Sequence, residues 1–220
     1  MVTVSFLKFS GRNKWFAMTQ MGRAHRWLSE VTGCDFYKLM GSGGGNGFSI
    51  IPDLSTYCLL MKWNSEQECD RFFDKSENWR AYRNRSDQNF TLYLKAVKVM
   101  GTWDAKQPFE MSEDLKGELV VLTRATIKKH YIPYFWSKVP KASADVRDTA
   151  GHVFSKGVGE VPLLHQATIS VWKNKASMHA YAYQNDSHIN MIRETREKGW
   201  YKEEMFAEFN LIKTKGKIWT

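Results

Sequence analysis

No stretch of the 220-residue sequence approaches the roughly 20 consecutive apolar residues that a membrane-crossing helix needs. Cysteine is scarce. Cys34, Cys58 and Cys69 form an odd set without CxxC spacing, all in the first half, which argues against a disulfide framework and a zinc site and leaves them as core or idle thiols. No Walker motif occurs. The glycine-rich run from Gly41 to Gly47 places Asn46 at the sixth position of a GxGxxG frame and precedes strand-like sequence rather than a helix, so a nucleotide fold is not expected. It reads as a flexible inter-strand loop requiring positive φ, able also to serve as a mobile edge over a pocket. The amino terminus, Met1 to Lys8, reads as a strand rather than a basic-then-apolar export signal, and a cytoplasmic protein is expected.

Acidic charge is also in deficit. Thirty-two Lys and Arg against 23 Asp and Glu give a net charge of +9. The basic residues do not cluster: the densest stretch mixes Arg71, Lys75, Arg80, Arg83 and Arg85 with Asp70, Asp74 and Glu77, as a solvated helix face does. Nucleic acid is therefore not an expected partner. A diffuse positive field is compatible with peripheral contact with anionic lipid headgroups.

What the sequence has in quantity is apolar and aromatic residues, 43% and 14%, enough for a full core. It also repeats itself. The Gly41–Gly47 loop, Pro52, the strand-like residues 57–63, a helical stretch with Phe72 and Trp79, and Gly101-Thr102-Trp103 are echoed by residues 157–159, Pro162, residues 168–172, a helical stretch with Tyr181 and His188, and residues 216–219 ending at Trp219. Trp63 to Trp79 and Trp172 to His188 are the same distance along the chain, so one copy carries a histidine where the other carries tryptophan. Two copies fit duplication of one supersecondary unit better than a solenoid.

Periodicity supplies the elements. Residues 2–9 alternate as a strand, and residues 14–32 carry Trp15, Met18, Met21, His25, Leu28 and Val31 at helical spacing before Gly33. Residues 35–40 and 57–63 are β-rich, Ser65 with Glu68 forms a capping box, and residues 90–99 close the unit as a strand. After a charged connector at residues 110–117 the order restarts with strand 118–127, helix 132–146, strands 153–158 and 168–172, helical residues 175–199 and strand 205–212. The order β-α-β-β-α-β is the ferredoxin-like unit. The expected fold is α+β, with duplicated ferredoxin-like units, residues 1–110 and 118–220, forming a single-chain α+β barrel of the dimeric type.

A family resemblance rests on the residues of the second half. Val-Leu-Thr-Arg-Ala-Thr-Ile (121–127), Phe-Trp-Ser-Lys-Val-Pro-Lys-Ala-Ser (135–143), Gly-Val-Gly-Glu-Val-Pro-Leu (157–163), Gln-Ala-Thr-Ile-Ser-Val-Trp (166–172), Ala-Tyr-Ala-Tyr (180–183), His188 and Gly-Trp-Tyr-Lys-Glu-Glu-Met-Phe-Ala-Glu-Phe (199–209) resemble the spheroidene monooxygenase family of carotenoid-modifying enzymes. The resemblance continues more loosely through residues 45–53, 57–63 and 101–109. It implies an oxygenase that installs a keto group on an acyclic carotenoid, haem b as cofactor, dioxygen as co-substrate, and an external electron donor, a ferredoxin or reductase, because no flavin or nicotinamide motif is present. Related barrels include chlorite dismutases, dye-decolourising peroxidases and aldoxime dehydratases, so a haem enzyme of another reaction class and a non-catalytic haem or lipophile carrier stay open. Without CxxCH the haem would be held non-covalently.

On that resemblance His188 is the expected iron ligand, projecting into a barrel cavity, with a surface or capping histidine as the plain alternative. His165 and His179 are its rivals; His25, His130 and His152 read as ordinary helix or strand-end residues. Arg124 lies mid-strand in an apolar run, where a guanidinium requires an anionic partner unless alternation turns it to solvent. It is expected to pair with a haem propionate or to stabilise an iron-bound oxygen ligand. Gln166 is the second expected catalytic residue, hydrogen-bonding bound oxygen. Arg193 and Trp172 complete the cofactor-binding set, and Glu160 is a structural acceptor in its turn. A hydrophobic pocket is expected from the Trp, Tyr, Phe and Met content, and a homo-oligomer remains open.

Overall fold

The computed structural model describes the backbone of all residues except 46, 48, 114–116, 145, 147, 148, 185 and 220; side chains 139–144, 183, 184, 186–188 and 190–192 also lie outside the described set. The first half runs β1 (Val2–Lys8), α1 (Asn13–Arg23), α2 (His25–Leu28), β2 (Cys34–Gly43), β3 (Pro52–Trp63), α3 (Glu66–Lys75), α4 (Glu77–Arg85) and β4 (Gln88–Gly101). The second runs β5 (Leu119–Ile127), α5 (Ile132–Ala144), β6 (His152–Gly159), β7 (His165–Trp172), α6 (Lys175–Gln184), α7 (Asp186–Lys198) and β8 (Tyr201–Gly216). The expected helix over residues 14–32 is broken into α1 and α2 at Ala24. Ser65 caps α3 as expected, its hydroxyl accepting from the Glu68 N–H at 3.2 Å.

The strands close into an antiparallel barrel in the order β1-β3-β2-β6-β7-β5-β8-β4. Each half therefore contributes four strands in matching order, β4-β1-β3-β2 and β8-β5-β7-β6. The two seams between halves are unequal. β4 and β8 pair along their length, from Phe90↔Gly216 to Gly101↔Met205, whereas β2 and β6 meet only at Gly41↔Gly159 and Ser42↔Val158.

Strands covered on both faces read as nearly continuous buried runs, and β1 is buried from Val2 to Leu7. Inward residues Val4, Phe6, Leu60, Phe90, Leu92, Leu122, Phe154, Ile169 and Phe209 pack into one continuous core. Both barrel ends are closed by tryptophans from the segments that follow β4 and β8. Trp103 and Phe109 pack with Phe36 at one end, and Trp219 lies 4.6 Å from the Phe90 ring at the other. The Trp103 turn is tight: Trp103 and Lys106 exchange backbone hydrogen bonds, and Asp104 and Ala105 between them have φ of 54° and 59°.

The glycine loop is no phosphate cradle. It joins β2 to β3 and presses onto β6 so closely that a Cβ on Gly47, at φ 92°, would lie 2.0 Å from the Gly157 carbonyl oxygen. Glycine there answers a steric demand as well as a dihedral one. Cys58 and Cys69 are buried and Cys34 half-buried, all as free thiols. Burial pushes Cys34 up to about 11 and Cys69 up to about 12, so both stay protonated and unreactive at neutral pH.

Candidate functional site

The interior of the barrel cannot hold a macrocycle. Its aromatic side chains fill it, with Phe6, Phe90 and Phe154 in mutual contact at ring separations of 5.1 to 5.3 Å. Apolar side chains occupy the barrel interior where a cavity for the ligand was expected. Room for a ligand has to be sought between the outer face of the sheet and the helices.

That outer face differs between the halves. Under α1–α4 one large cluster covers it, with Leu7, Leu59, Met61, Trp63, Phe72, Trp79, Tyr82 and Tyr93 all buried. Under α5–α7 the cover formed by the described residues divides into two small clusters. Ile127, Phe135, Trp136 and Trp200 form one; Leu119, Val121, Trp172 and Met178 form the other. Between them Thr123 is exposed, although it sits mid-strand with β7 and β8 paired on either side.

Strand register explains the gap. Trp63 closes β3 beside Met1, and Trp172 closes β7 beside Leu119, so positions can be matched by counting back from each tryptophan. On β3 the outward residues are Met61, Leu59 and Tyr57; the matching residues on β7 are Ser170, Thr168 and Gln166. On the central strands Leu7 is matched by Ala125. Ser5, buried with its hydroxyl 2.8 Å from that of Thr91, is matched by the exposed Thr123. Bulky residues on one face are thus matched by small and polar ones on the other, and among the described side chains this leaves a hollow at Thr123 and Thr168, bordered by Ala125 and Gln166 and by the half-buried Tyr181 and Phe206, with Trp172 buried behind Tyr181.

The expected site residues are distributed over two places. Gln166 and Trp172 lie at the hollow, beside Thr168, which the sequence does not single out. Trp172 is buried, donates from Nε1 to Ser170 Oγ at 2.9 Å and packs against Tyr181 at 5.5 Å. His188 and Arg193 lie on α7, which packs against α5 through Tyr134 and Glu194, 2.9 Å apart; Arg193 is exposed, and the side chain of His188 is outside the described residues. His179 is exposed on α6.

Arg124 is elsewhere. It matches Phe6 in register and faces the barrel interior, so it and Gln166 lie on opposite faces of the sheet and are not brought together. Its anionic partners are in the chain itself: the guanidinium pairs with Glu203, lies 3.8 Å from Asp104 and stacks 5.4 Å from the Trp103 ring. The alternative of a solvent-facing arginine is also corrected, since the residue is buried. Around it a charged network closes this barrel end. Lys38 binds Asp104 and Glu160, and Glu160 also accepts from Trp103 Nε1 at 2.8 Å, so its donors lie outside the turn in which an acceptor role was expected. His165 belongs to the same network, 3.9 Å from Glu160, with its pKa lowered by burial.

The Glu203 carboxyl is raised by burial but more strongly lowered by hydrogen bonds from the Ala105 N–H, Arg124 and Thr102, which together hold it at about 2. Glu203 and Asp104 escape sequence reasoning because one lies in an acidic pair and the other in a turn. Two further groups lie in this half: His152, which reads from sequence as an ordinary residue, and Glu208, which no sequence pattern singles out. His152 packs edge-on against Trp172 at 5.4 Å, its Nε2 buried with no hydrogen-bond partner and its pKa lowered by burial. Glu208 is buried on the outer face, with Lys98 at 3.7 Å and Lys175 at 3.3 Å. Among the described residues no group of three or more His, Cys, Asp or Glu could hold a bare metal ion.

No family model matches the chain. Among solved structures, an aldoxime dehydratase in complex with butyraldoxime has a TM-score of 0.56 at 9% identity over 96% of this chain and 79% of its own, a likeness of fold alone. Sequence similarity is far closer. Spheroidene monooxygenase of Rhodobacter capsulatus is 35% identical over 219 residues, covering 97% of this chain and 91% of the relative. That of Cereibacter sphaeroides is 31% identical, covering 98% and 68%. With 35% identity over 97% of this chain and 91% of the Rhodobacter capsulatus relative, this chain belongs to the spheroidene monooxygenase family.

Proposed function

We propose that the chain is a haem-dependent monooxygenase acting on a hydrophobic, carotenoid-like substrate, with its site in the hollow beneath α5–α7 and His188 as the iron ligand. The observation that carries the reading is the exposed Thr123 on a doubly paired central strand, facing small residues where the other half carries Met61, Leu59, Leu7 and Tyr57. Family membership supports an oxygenase. The same reading takes residues 1–110 and 118–220 as two ferredoxin-like units of a duplicated chain, one keeping a filled outer face and the other hollowed for a ligand.

The residues fit a flat apolar macrocycle. Tyr181 and Phe206, both half-buried, would supply walls against which such a ring buries its faces, Trp172 would support Tyr181 from beneath, and the Thr123 and Thr168 hydroxyls would leave the ring room. The chemistry that haem supplies when bound is one-electron redox and dioxygen activation, with electrons from an external ferredoxin or reductase. His188 on α7 would hold the iron, and Arg193 on the same helix would meet a propionate. Gln166 and Thr168 would orient the polar end of a reacting group by hydrogen bonding, while the aromatic rim excludes water from a long apolar substrate. Arg124 acts here as a positioning residue, fixing the end of β5 on β8 through Glu203, rather than as a contact of the cofactor.

Absorption spectroscopy of purified protein supplied with haem tests this. Wild type develops a Soret band, His188→Ala loses or shifts it, and Thr168→Leu with Thr123→Leu, which fills the exposed floor of the hollow, takes up little haem while keeping its circular dichroism. Absence of the band in wild type, or an unchanged iron spectrum in His188→Ala, overturns the assignment. Turnover that requires dioxygen and a reductant, and not peroxide, identifies the reaction class.

A further inference from the structure

One barrel end carries a surface that the hollow does not use. Lys8 pairs with Thr56 on β3 and with Gln88 on β4, Phe90 pairs with Gly216 on β8, and the Phe9 N–H donates to the Ser55 carbonyl at 2.8 Å. Residues 8–15, 50–56, 85–88 and 215–217 therefore gather at the same end. Four large apolar side chains there stand in solvent: Ile50 is 63% exposed, Ile51 71%, Leu54 50% and Trp15 68%. A scattered apolar residue on a surface needs no explanation, but four at one barrel end do, two in the β2–β3 connection, one at the start of β3 and one in the first turn of α1.

The charge of these segments is one-sided. They hold Lys8, Arg12, Lys14, Arg85, Lys215 and Lys217, all exposed, against two carboxylates, Asp53 and Asp87. Asp53 is turned inward, its carboxylate accepting from the Ser55 N–H at 2.9 Å and lying 3.7 Å from Lys156 Nζ. Among the described residues no helix is long and apolar enough to cross a membrane.

We infer that this end docks on an anionic lipid bilayer, with Ile50, Ile51, Leu54 and Trp15 entering the boundary between headgroups and acyl chains and the basic side chains lying at the headgroup phosphates. Exposed aliphatic side chains beside lysine and arginine are the composition of an interfacial anchor. A second copy of the chain is a poor occupant, since a self-contact would set these cations against one another. Nucleic acid uses the charges but leaves the isoleucines without a partner. The inference is independent of haem, and its readout involves no turnover.

Co-sedimentation of the full chain with phosphatidylcholine vesicles, with and without phosphatidylglycerol, is the test. The protein pellets with the anionic vesicles, stays in solution with the neutral ones, and is released by added salt. Ile50→Ser with Ile51→Ser weakens binding at least about tenfold. Lys14→Gln and Lys217→Gln weaken it by about fivefold each. Both sets of variants sit on exposed tips and keep the wild-type circular dichroism and melting temperature. No pelleting with anionic vesicles, or unchanged binding of the isoleucine variant, overturns the inference. Duplex DNA binding as tight as vesicle binding and indifferent to the isoleucine changes overturns it in favour of a nucleic-acid face.

Discussion

Arg124 of β5 and Glu203 of β8 form an ion pair at the barrel end, with 2% of the arginine side chain and 20% of the glutamate side chain left in contact with water. A buried pair of this kind contributes little net stability over an apolar pair, but breaking one side of it strands the other charge. Glu203→Gln is expected to destabilise by about 3 kcal/mol in urea denaturation. Glu203→Gln combined with Arg124→Met should lose clearly less than the sum of the single changes, and strict additivity would show that the two are not coupled.

The same carboxylate sets an acid limit. Glu203 is held at about 2 against an ordinary 4.5, so between those values the unfolded chain binds a proton that the folded chain does not. Its contribution is complete above pH 4.5 and is lost as the pH falls toward 2. His152 and His165 act in the same direction at higher pH: burial lowers both below the ordinary 6.5, so stability declines as the pH drops through 6.5 and the unfolded imidazoles charge. Urea midpoints against pH should show both steps, the upper one shrinking in His152→Phe and the lower one in Glu203→Gln.

The filled and hollowed outer faces should respond oppositely to changes in volume. Leu59→Ala removes bulk from a closed cluster and should cost about 3 kcal/mol. Thr168→Leu adds bulk beside the exposed Thr123 and should leave the thermal midpoint near that of wild type. A loss in Thr168→Leu as large as that in Leu59→Ala would mean the hollow is closed.

Two backbone positions have opposite needs. Ala105 holds φ 59°, so Ala105→Gly relieves a left-handed residue and should raise stability by about 0.5–1 kcal/mol. Gly47→Ala drives a Cβ against Gly157 and should lower the thermal midpoint by more than that gain.

The element order was legible because it rests on periodicity, the Ser65 cap and the repeated Trp63 and Trp172 strand ends; closure into a barrel followed from the architecture of two such units and not from periodicity. The break at Ala24 was not, since Met21, His25 and Leu28 keep helical spacing across it. Arg124 stood out as a charge in an apolar run, yet its partner did not: Glu203 is 79 residues away and meets it only through β5–β8 pairing. The direction of Gln166 depended on strand parity, and one step along β7 separates it from the inward Ala167. His152 looked ordinary because its contact with Trp172 arises from the pairing of β6 with β7. The hollow was present in the sequence as Thr123, Thr168 and Ala125, but it became visible only once those positions were set against Ser5, Leu59 and Leu7 by register.

The unequal seams give the molecule a clasp and a hinge. Because β2 and β6 share only the pairs at Gly41 and Ser42, while β4 and β8 are laced from end to end, gentle denaturation should undo the short side first and let the cylinder unroll into one open eight-stranded ribbon. Amide protons of residues 41, 42, 158 and 159 should then trade with deuterium well before those of residues 92–96, and a covalent staple across the clasp should abolish the difference.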